Sequence, residues 1–272
     1  MSNLKNLTVG LSLALASIFA SANAASPIED AVAGAHRDAK DVARDVYRHP
    51  AQTLAFFDVK PEMNVVEIWP GGGWYADILA PLLRDKGSYV VAGFVTDPDS
   101  APQWRIDLMD QLTARFAGKP EIYGKPLITQ LGTPDQWTAA PASSADRVLT
   151  FRNVHNWLKG DYAEAMFQSF FQALKPGGIL GVVEHRAPEG TTVDEMKVSG
   201  YMTEAYVIRL AEDAGFKLVE RSQINANPAD TARHPKGVWS LPPSLRMGDE
   251  DREKYVAIGE SDRMTLKFQK PE

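Results

Sequence analysis

Apolar runs broken by glycine punctuate this chain. Residues 65–69, Val-Val-Glu-Ile-Trp, form a short strand-like run, and Gly71, Gly72 and Gly73 follow directly. Ile78, Leu79, Leu82 and Leu83 then recur at helical spacing, so the stretch reads as strand, glycine turn, helix, with a stop near Gly87. Residues 89–95, 126–131, 145–151 and 179–184 read as further buried strands. Helical patterns cover 103–116, 161–174 and 199–214, the last two stopping at Lys175-Pro176-Gly177-Gly178 and at Gly215. Residues 216–224 and 264–268 are expected to pair as a terminal antiparallel couple. Strands alternating with helices predict an α/β fold: a seven-stranded, mostly parallel sheet with helices on both faces. A ligand in such a sheet sits at the carboxyl ends of the strands, where strand order reverses.

Two segments flank this pattern. Residues 27–47 read as one helix outside the sheet, with Val32, Ala35, Ala39, Val42, Ala43 and Val46 inward. Arg37, Asp38, Lys40, Asp41, Arg44 and Asp45 fill the outer face. His49-Pro50 ends it, because the residue before proline avoids the helical region, and residues 52–57 form another helical turn. Residues 225–262, rich in proline and charge, read as an insertion and a solvated loop. The expected organisation is a single domain over 25–272, with a helical extension at about 27–57.

The first 24 residues stand apart. Lys5 precedes an uncharged apolar stretch, 7–20, and Ala22-Asn23-Ala24 forms a small-residue cleavage signal. This reads as a secretory signal peptide cut after Ala24, placing the mature chain in the periplasm or outside the cell with no membrane anchor. Losing Lys5 takes the formal charge from −6 to −7, and no basic cluster rises above that background, so nucleic acid is not expected as a partner. The 44% hydrophobic and 24% charged content fits a globular chain. With no cysteine, disulfides, thiolate metal sites and cysteine nucleophiles are ruled out.

Candidate chemistry clusters at the strand exits. Arg152, Asn153, His155, Asn156 and Trp157 follow the 145–151 strand. Arg152 offers a two-pronged contact to a carboxylate or phosphate. His155 is a candidate general base, its ordinary pKa lying near neutrality. The alternative is that Asn153 and His155 only shape the turn. Glu184, His185 and Arg186 close the next strand, where Glu184 either fixes a histidine tautomer or pairs with Arg186. Tyr201 and Glu204 could close over an acceptor pocket, and His234 could belong to a lid. No H-E-x-x-H or comparable metal spacing exists, so no metal is assigned, although His155, Glu184 and His185 could converge in space. G-x-S-x-G is absent, which removes the α/β-hydrolase reading.

Three segments carry a resemblance. V-V-E-I-W-P-G-G-G-W, D-R-V-L-T-F-R-N-V-H-N-W and A-L-K-P-G-G-I-L-G-V-V-E-H, in that order, resemble the first motif, the fourth-strand motif and the helix-to-strand element of class I S-adenosylmethionine-dependent methyltransferases. E-I-W-P-G-G-G-W with R-N-V-H-N-W more closely resembles a group of exported, predicted methyltransferases. The resemblance, covering about 47–268, implies a Rossmann-like methyltransferase fold, S-adenosylmethionine as cofactor and a small-molecule acceptor. It implies that Glu67, Gly71, Gly72 and Gly73 hold the methionine part of the cofactor. Two positions depart from the pattern. Trp69 stands where the family has its first glycine. The acidic residue that holds the ribose falls near Phe94, with Asp97 the nearest carboxylate; Gln130 or Asp135 would meet the adenine. The expected function is an exported S-adenosylmethionine-dependent methyltransferase acting on a small molecule, with Arg152, Asn153 and His155 orienting and deprotonating the acceptor; the alternatives are a periplasmic binding module with Trp69 in the old cofactor site and a different enzyme using His155 and Glu184.

Overall fold

The computed structural model describes residues 25–272, so the expected signal peptide lies outside the described residues. Seven strands form one sheet: β1 (Asn64–Ile68), β2 (Ser88–Gly93), β3 (Leu127–Gln130), β4 (Ala145–Phe151), β5 (Leu174–His185), β6 (Lys217–Ser222) and β7 (Arg263–Gln269). Their order is β3-β2-β1-β4-β5-β7-β6. The first five are parallel, and β7 runs antiparallel to both β5 and β6. The sequence pattern predicts this sheet and its terminal pair. The central strands are apolar on both faces because helices cover both, and burial follows: Val65, Ile68, Val91, Val148, Leu149, Leu180 and Val182 are shielded from water. Leu54, Phe57, Ile78, Leu79, Phe167 and Phe170 pack over them, each contributing about 1.5–3 kcal/mol.

Register fixes what gathers at the functional edge. Ile68 pairs with Ala92 on one side and Thr150 on the other, and Phe151 pairs with Val183. The chain therefore leaves β1 at Trp69, β2 at Phe94, β4 at Arg152 and β5 near Glu184 on one rim. β7 enters at that rim, with Arg263 opposite His185. Strand order reverses between β1 and β4, so the crevice opens there.

Five segments differ from the sequence expectation. Residues 174–178, read as a helix end and its glycine stop, begin β5, because Leu174 already pairs with Ala145 of β4. Residues 27–47 do not form one helix but break into Pro27–Val32, Ala39–Val42 and Asp45–Arg48. Ser26 and Asp38 cap the first two, and His49 ends the third in the left-handed region (φ 41°). The breaks invert the expected faces: Val42 and Val46 are exposed, while Arg37 and Arg48 are buried. Arg37 is matched by Asp45 at 2.7 and 2.8 Å and by the Val32 carbonyl at 2.7 Å. The expected long helix 199–214 starts later, as Glu204–Asp213, because Gly200 turns left-handed (φ 75°) tight against Trp239 and closes a separate helix, Val193–Ser199. A short helix, Val154–Lys159, begins directly after β4, so His155 sits on its first turn. Residues 225–262 are packed, not a solvated loop: they include the helix Arg252–Ile258 and bury Val238, Leu241 and Tyr255 beside the crevice rim.

Candidate functional site

The glycine turn forms the floor of the crevice. Gly71 (φ 58°) and Gly73 (φ 83°) adopt the left-handed region. A Cβ at Gly71 or Gly72 would meet nothing within 4 Å, whereas one at Gly73 would lie 2.8 Å from Leu112. Arg115 braces the turn from the helix Gln103–Gly118, donating to the Gly72 carbonyl at 2.9 Å and pairing with Asp77 at 3.0 Å. Glu67 lies behind the turn, fully buried, and accepts the Tyr89 hydroxyl. Burial pushes its carboxyl up to about 8, the Tyr89 bond only partly opposing this.

Trp69 takes the left-handed conformation at the first position of the turn (φ 48°) and is only 5% exposed. Its ring runs across the ends of β2 and β3. Nε1 donates to the Leu131 carbonyl at 2.8 Å, the ring centroid lies 4.7 Å from Phe94, and a Cβ on Gly132 would come within 3.1 Å of Cζ2. Trp157 and Tyr162 pack around it, and the Arg105 guanidinium lies 5.3 Å from the Trp69 and Phe94 rings.

Asp97 is exposed and turned into its own loop, accepting from the Asp99 backbone at 3.1 Å and the Ser100 hydroxyl at 2.9 Å. Gln130 is tied to Thr96, and Asp135 to Gln136. None of the three lines the crevice, whose cavity of about 410 Å³ is walled by the glycine turn, Trp74, Tyr75, Phe151, Arg152 and the segment carrying Lys40, Arg44 and Arg48.

At the β4 exit the polar residues divide their work. Asn153 donates to the Ile68 carbonyl at 2.9 Å and the Thr150 hydroxyl at 3.3 Å, stapling β4 to β1. It holds the rim, as in the turn-shaping alternative. His155 Nδ1 lies 3.0 Å from Glu184 Oε1, and its backbone N–H donates to Oε2 at 3.3 Å. Glu184 also accepts the His185 backbone N–H at 2.8 Å, so its carboxylate is the acceptor and Nδ1 of His155 the donor. Nε2 of His155 then carries the free lone pair. Glu184 thus fixes a histidine tautomer and does not pair with Arg186, which binds Asp262, Glu204 and Gln223. His185 Nδ1 meets the Ser261 hydroxyl at 2.6 Å; burial above all, with the Arg263 charge adding to it, holds its pKa well below the ordinary range.

His155 and His185, with Arg152, Trp239, Ser244 and Arg263, line a second cavity of about 140 Å³. Arg152 lines both cavities and makes no side-chain hydrogen bond or ion pair among the described residues. Tyr201 lies outside both, donating to Asp230 at 2.9 Å, and His234 meets the same carboxylate at 2.8 Å. Glu204 lines a separate hollow with Arg186.

His155, Glu184 and His185 do converge, with candidate ligand atoms within 4.8 Å of one another. The surroundings disfavour a cation there. Glu184 already accepts three N–H donors, and Arg152 and Arg263 add positive charge beside the histidines.

Sequence reasoning missed Arg48, Glu260, Ser261, Arg263 and Trp239 and read Arg44 as outward. Glu260 accepts from Arg44 Nε at 2.6 Å, from Arg48 Nε at 3.0 Å and from Arg263 Nη2. One local signal existed: arginines four apart immediately before His49-Pro50 share one side of a helical turn.

No family model matches this chain, and no curated protein matches it. Solved structures do. An S-adenosylmethionine-dependent methyltransferase from Aquifex aeolicus aligns at a TM-score of 0.54 and 13% identity, covering 84% of this chain and 92% of that one. The cyclase SpnF aligns at a TM-score of 0.53 and 14% identity, covering 90% of this chain and 92% of that one. At such identities the likeness establishes the methyltransferase-type Rossmann-like fold, and the fold hosts more than one chemistry.

Proposed function

We propose that this chain is an enzyme on the methyltransferase fold that works without S-adenosylmethionine, using His155 as a general base oriented by Glu184 on a small molecule. The observation that carries the reading is the buried His155–Glu184 pair, 3.0 Å apart, with His155 on the wall of a cavity at the carboxyl ends of β4 and β5. The carboxylate holds the imidazole in one tautomer and stabilises the imidazolium that forms when Nε2 takes a proton. Asn153 keeps the β4 exit against β1, so the base is delivered from a fixed rim.

The residues present do not fit the adenosine half of S-adenosylmethionine. Trp69 spreads over the ends of β2 and β3, Phe94 stands where a ribose-binding carboxylate is expected, and Asp97 turns away from the crevice. A second reading, methyl transfer, is favoured by the open space in front of Gly71 and Gly72. Calorimetric titration with S-adenosylmethionine and S-adenosylhomocysteine decides between them. Our reading expects no heat with S-adenosylmethionine at millimolar concentration. Micromolar binding lost on Gly71→Val establishes the second reading instead. The N-terminal pattern adds export to the proposal, giving a small-molecule enzyme of the periplasm or exterior; cell fractionation that finds the full-length chain in the cytoplasm removes that part.

A further inference from the structure

Arginines away from the crevice have most of their donors matched. Arg37 is clamped by Asp45 and a carbonyl, Arg147 donates to the Phe57, Asp146 and Asp58 carbonyls at 2.7–3.0 Å, and Arg186 forks onto Asp262. One cluster between the two cavities concentrates the mismatch. Arg44, Arg48 and Arg263 all converge on the single carboxylate of Glu260, and Arg152 stands beside them with no partner. Arg48, Arg263 and Glu260 side chains are 4%, 3% and 2% exposed. Among the described residues five guanidinium nitrogens are buried without an acceptor; Arg37 Nε and Arg105 Nε stand apart, and the other three, Arg44 Nη2, Arg48 Nη2 and Arg263 Nε, all fall in this cluster. Four guanidinium groups against one carboxylate leave an excess of positive charge in a place where unpaired charge is costly.

We propose that the crevice grips its substrate by an oxyanion group, a carboxylate or a phosphate, through Arg152 and Arg48, with Arg44 and Arg263 behind them. This deepens the proposed function by naming the substrate class. The planar guanidinium fork matches both oxyanions in two-pronged fashion, which a lysine does not. The other walls suit the body of a small organic molecule. Tyr75 and Phe151 stack at 3.6 Å and 12°, Trp74 lies beneath Arg48 at 4.6 Å, and about 410 Å³ suffices for a small ligand but not a polymer. Arg152 also borders the cavity of His155, so an anion held there places its body against the base. Burial, then Arg263, lowers the Arg152 pKa to about 10, which keeps it cationic at neutral pH.

Thermal unfolding and calorimetry with inorganic phosphate and with succinate test this at fixed ionic strength, chloride serving as the control anion. We expect at least one probe to bind and raise Tm beyond chloride. Phosphate alone marks a phosphorylated substrate, and succinate alone marks a carboxylate. Arg152→Gln weakens the bound probe at least about tenfold. It leaves the anion-free Tm unchanged or higher, because it strands no partner and relieves repulsion; a merely structural arginine would lower it. No effect of either probe, or binding that Arg152→Gln leaves intact, overturns the proposal. The S-adenosylmethionine titration keeps the two readings separable. If that cofactor binds and Arg152-dependent anion binding persists, only the cofactor-free reading falls.

Discussion

Glu260→Gln is the most exposing perturbation of this architecture. Glu260 is the one carboxylate inside a ring of arginines, at 2.6 Å from Arg44 and 3.0 Å from Arg48 and bonded to Arg263. Burial works to raise its pKa, but Arg263, Arg48, Arg44 and Arg152 outweigh that and hold it at about 2, against an ordinary 4.5. At 1.36 kcal/mol per unit, the charged form contributes about 3 kcal/mol to folding at neutral pH. Removing one partner from a buried charge cluster costs about 3–5 kcal/mol by a separate route, so the two figures agree. The sign follows from the lowered pKa. The contribution is complete above pH 4.5, shrinks as pH falls, and is gone below about 2. Urea denaturation of both proteins from pH 7 downward measures it. We expect Glu260→Gln to lose about 3 kcal/mol at pH 7, with the gap narrowing below pH 4.5, and phosphate to restore part of the loss by entering the arginine ring. A loss under about 1 kcal/mol at pH 7, or a gap that stays constant into acid, would refute this account of the cluster.

Glu67 titrates in the opposite sense. Its folded pKa of about 8 lies above the ordinary 4.5, so the native state holds a proton the unfolded chain releases, and stability falls as pH rises through that window. Glu67→Gln keeps an acceptor for Tyr89 and should gain on the wild type in Tm between pH 5 and 8; parallel Tm curves would contradict the burial argument. Trp69→Gly removes a buried ring but relieves a left-handed backbone, and should cost about 2–4 kcal/mol in chemical denaturation. An unchanged midpoint would mean that the ring does not pack as described.

The sheet was legible because its signals are local. Apolar runs of strand length and glycine stops each act within a few residues, and the cores of all seven strands follow from them, although β5 starts at Leu174, ahead of the Lys175-Pro176-Gly177-Gly178 stretch that reads as a stop. The crevice rim was legible for the same reason, since strand ends are the ends of those runs. The arginine ring was not. Helical periodicity over 27–47 places Val42 and Val46 inside and Arg44 outside, yet the segment breaks at Gly34 and again before Asp45 and folds over the crevice. Its partners, Glu260 and Arg263, lie more than two hundred residues away, and only tertiary contact chooses which face turns inward. Trp69 was visible as a departure from the glycine pattern, but its consequence depends on Phe94, Leu131 and Gly132 meeting the ring, which periodicity does not report. Residues 225–262 misled for a related reason: proline and charge suggest solvent, whereas Tyr201, His234 and the Asp262 backbone N–H all converge on Asp230 beneath that surface.

Trp69 and the arginines act in one direction, by different physics. The ring removes room at the ends of β2 and β3, and the arginines set a field. Lys40, Arg44, Arg48, Arg115 and Arg152 face the larger cavity against Asp41 and Glu67, and Glu67 is largely protonated at neutral pH. The carboxylate of S-adenosylmethionine would be welcome among those arginines, but its ammonium and its sulfonium would not, and no pH removes the sulfonium charge. Like charges about 4 Å apart repel by about 4 kcal/mol at an effective dielectric constant of about 20, enough to decide binding. S-adenosylhomocysteine lacks the sulfonium charge and so separates the two effects. If the field alone opposes the cofactor, S-adenosylhomocysteine, which keeps the ammonium but lacks the sulfonium, binds more tightly than S-adenosylmethionine. If the ring excludes it, neither binds to the native protein, and Trp69→Gly admits S-adenosylhomocysteine before S-adenosylmethionine. Equal binding of both by the native protein would mean that neither the ring nor the field has the consequence argued from the structure.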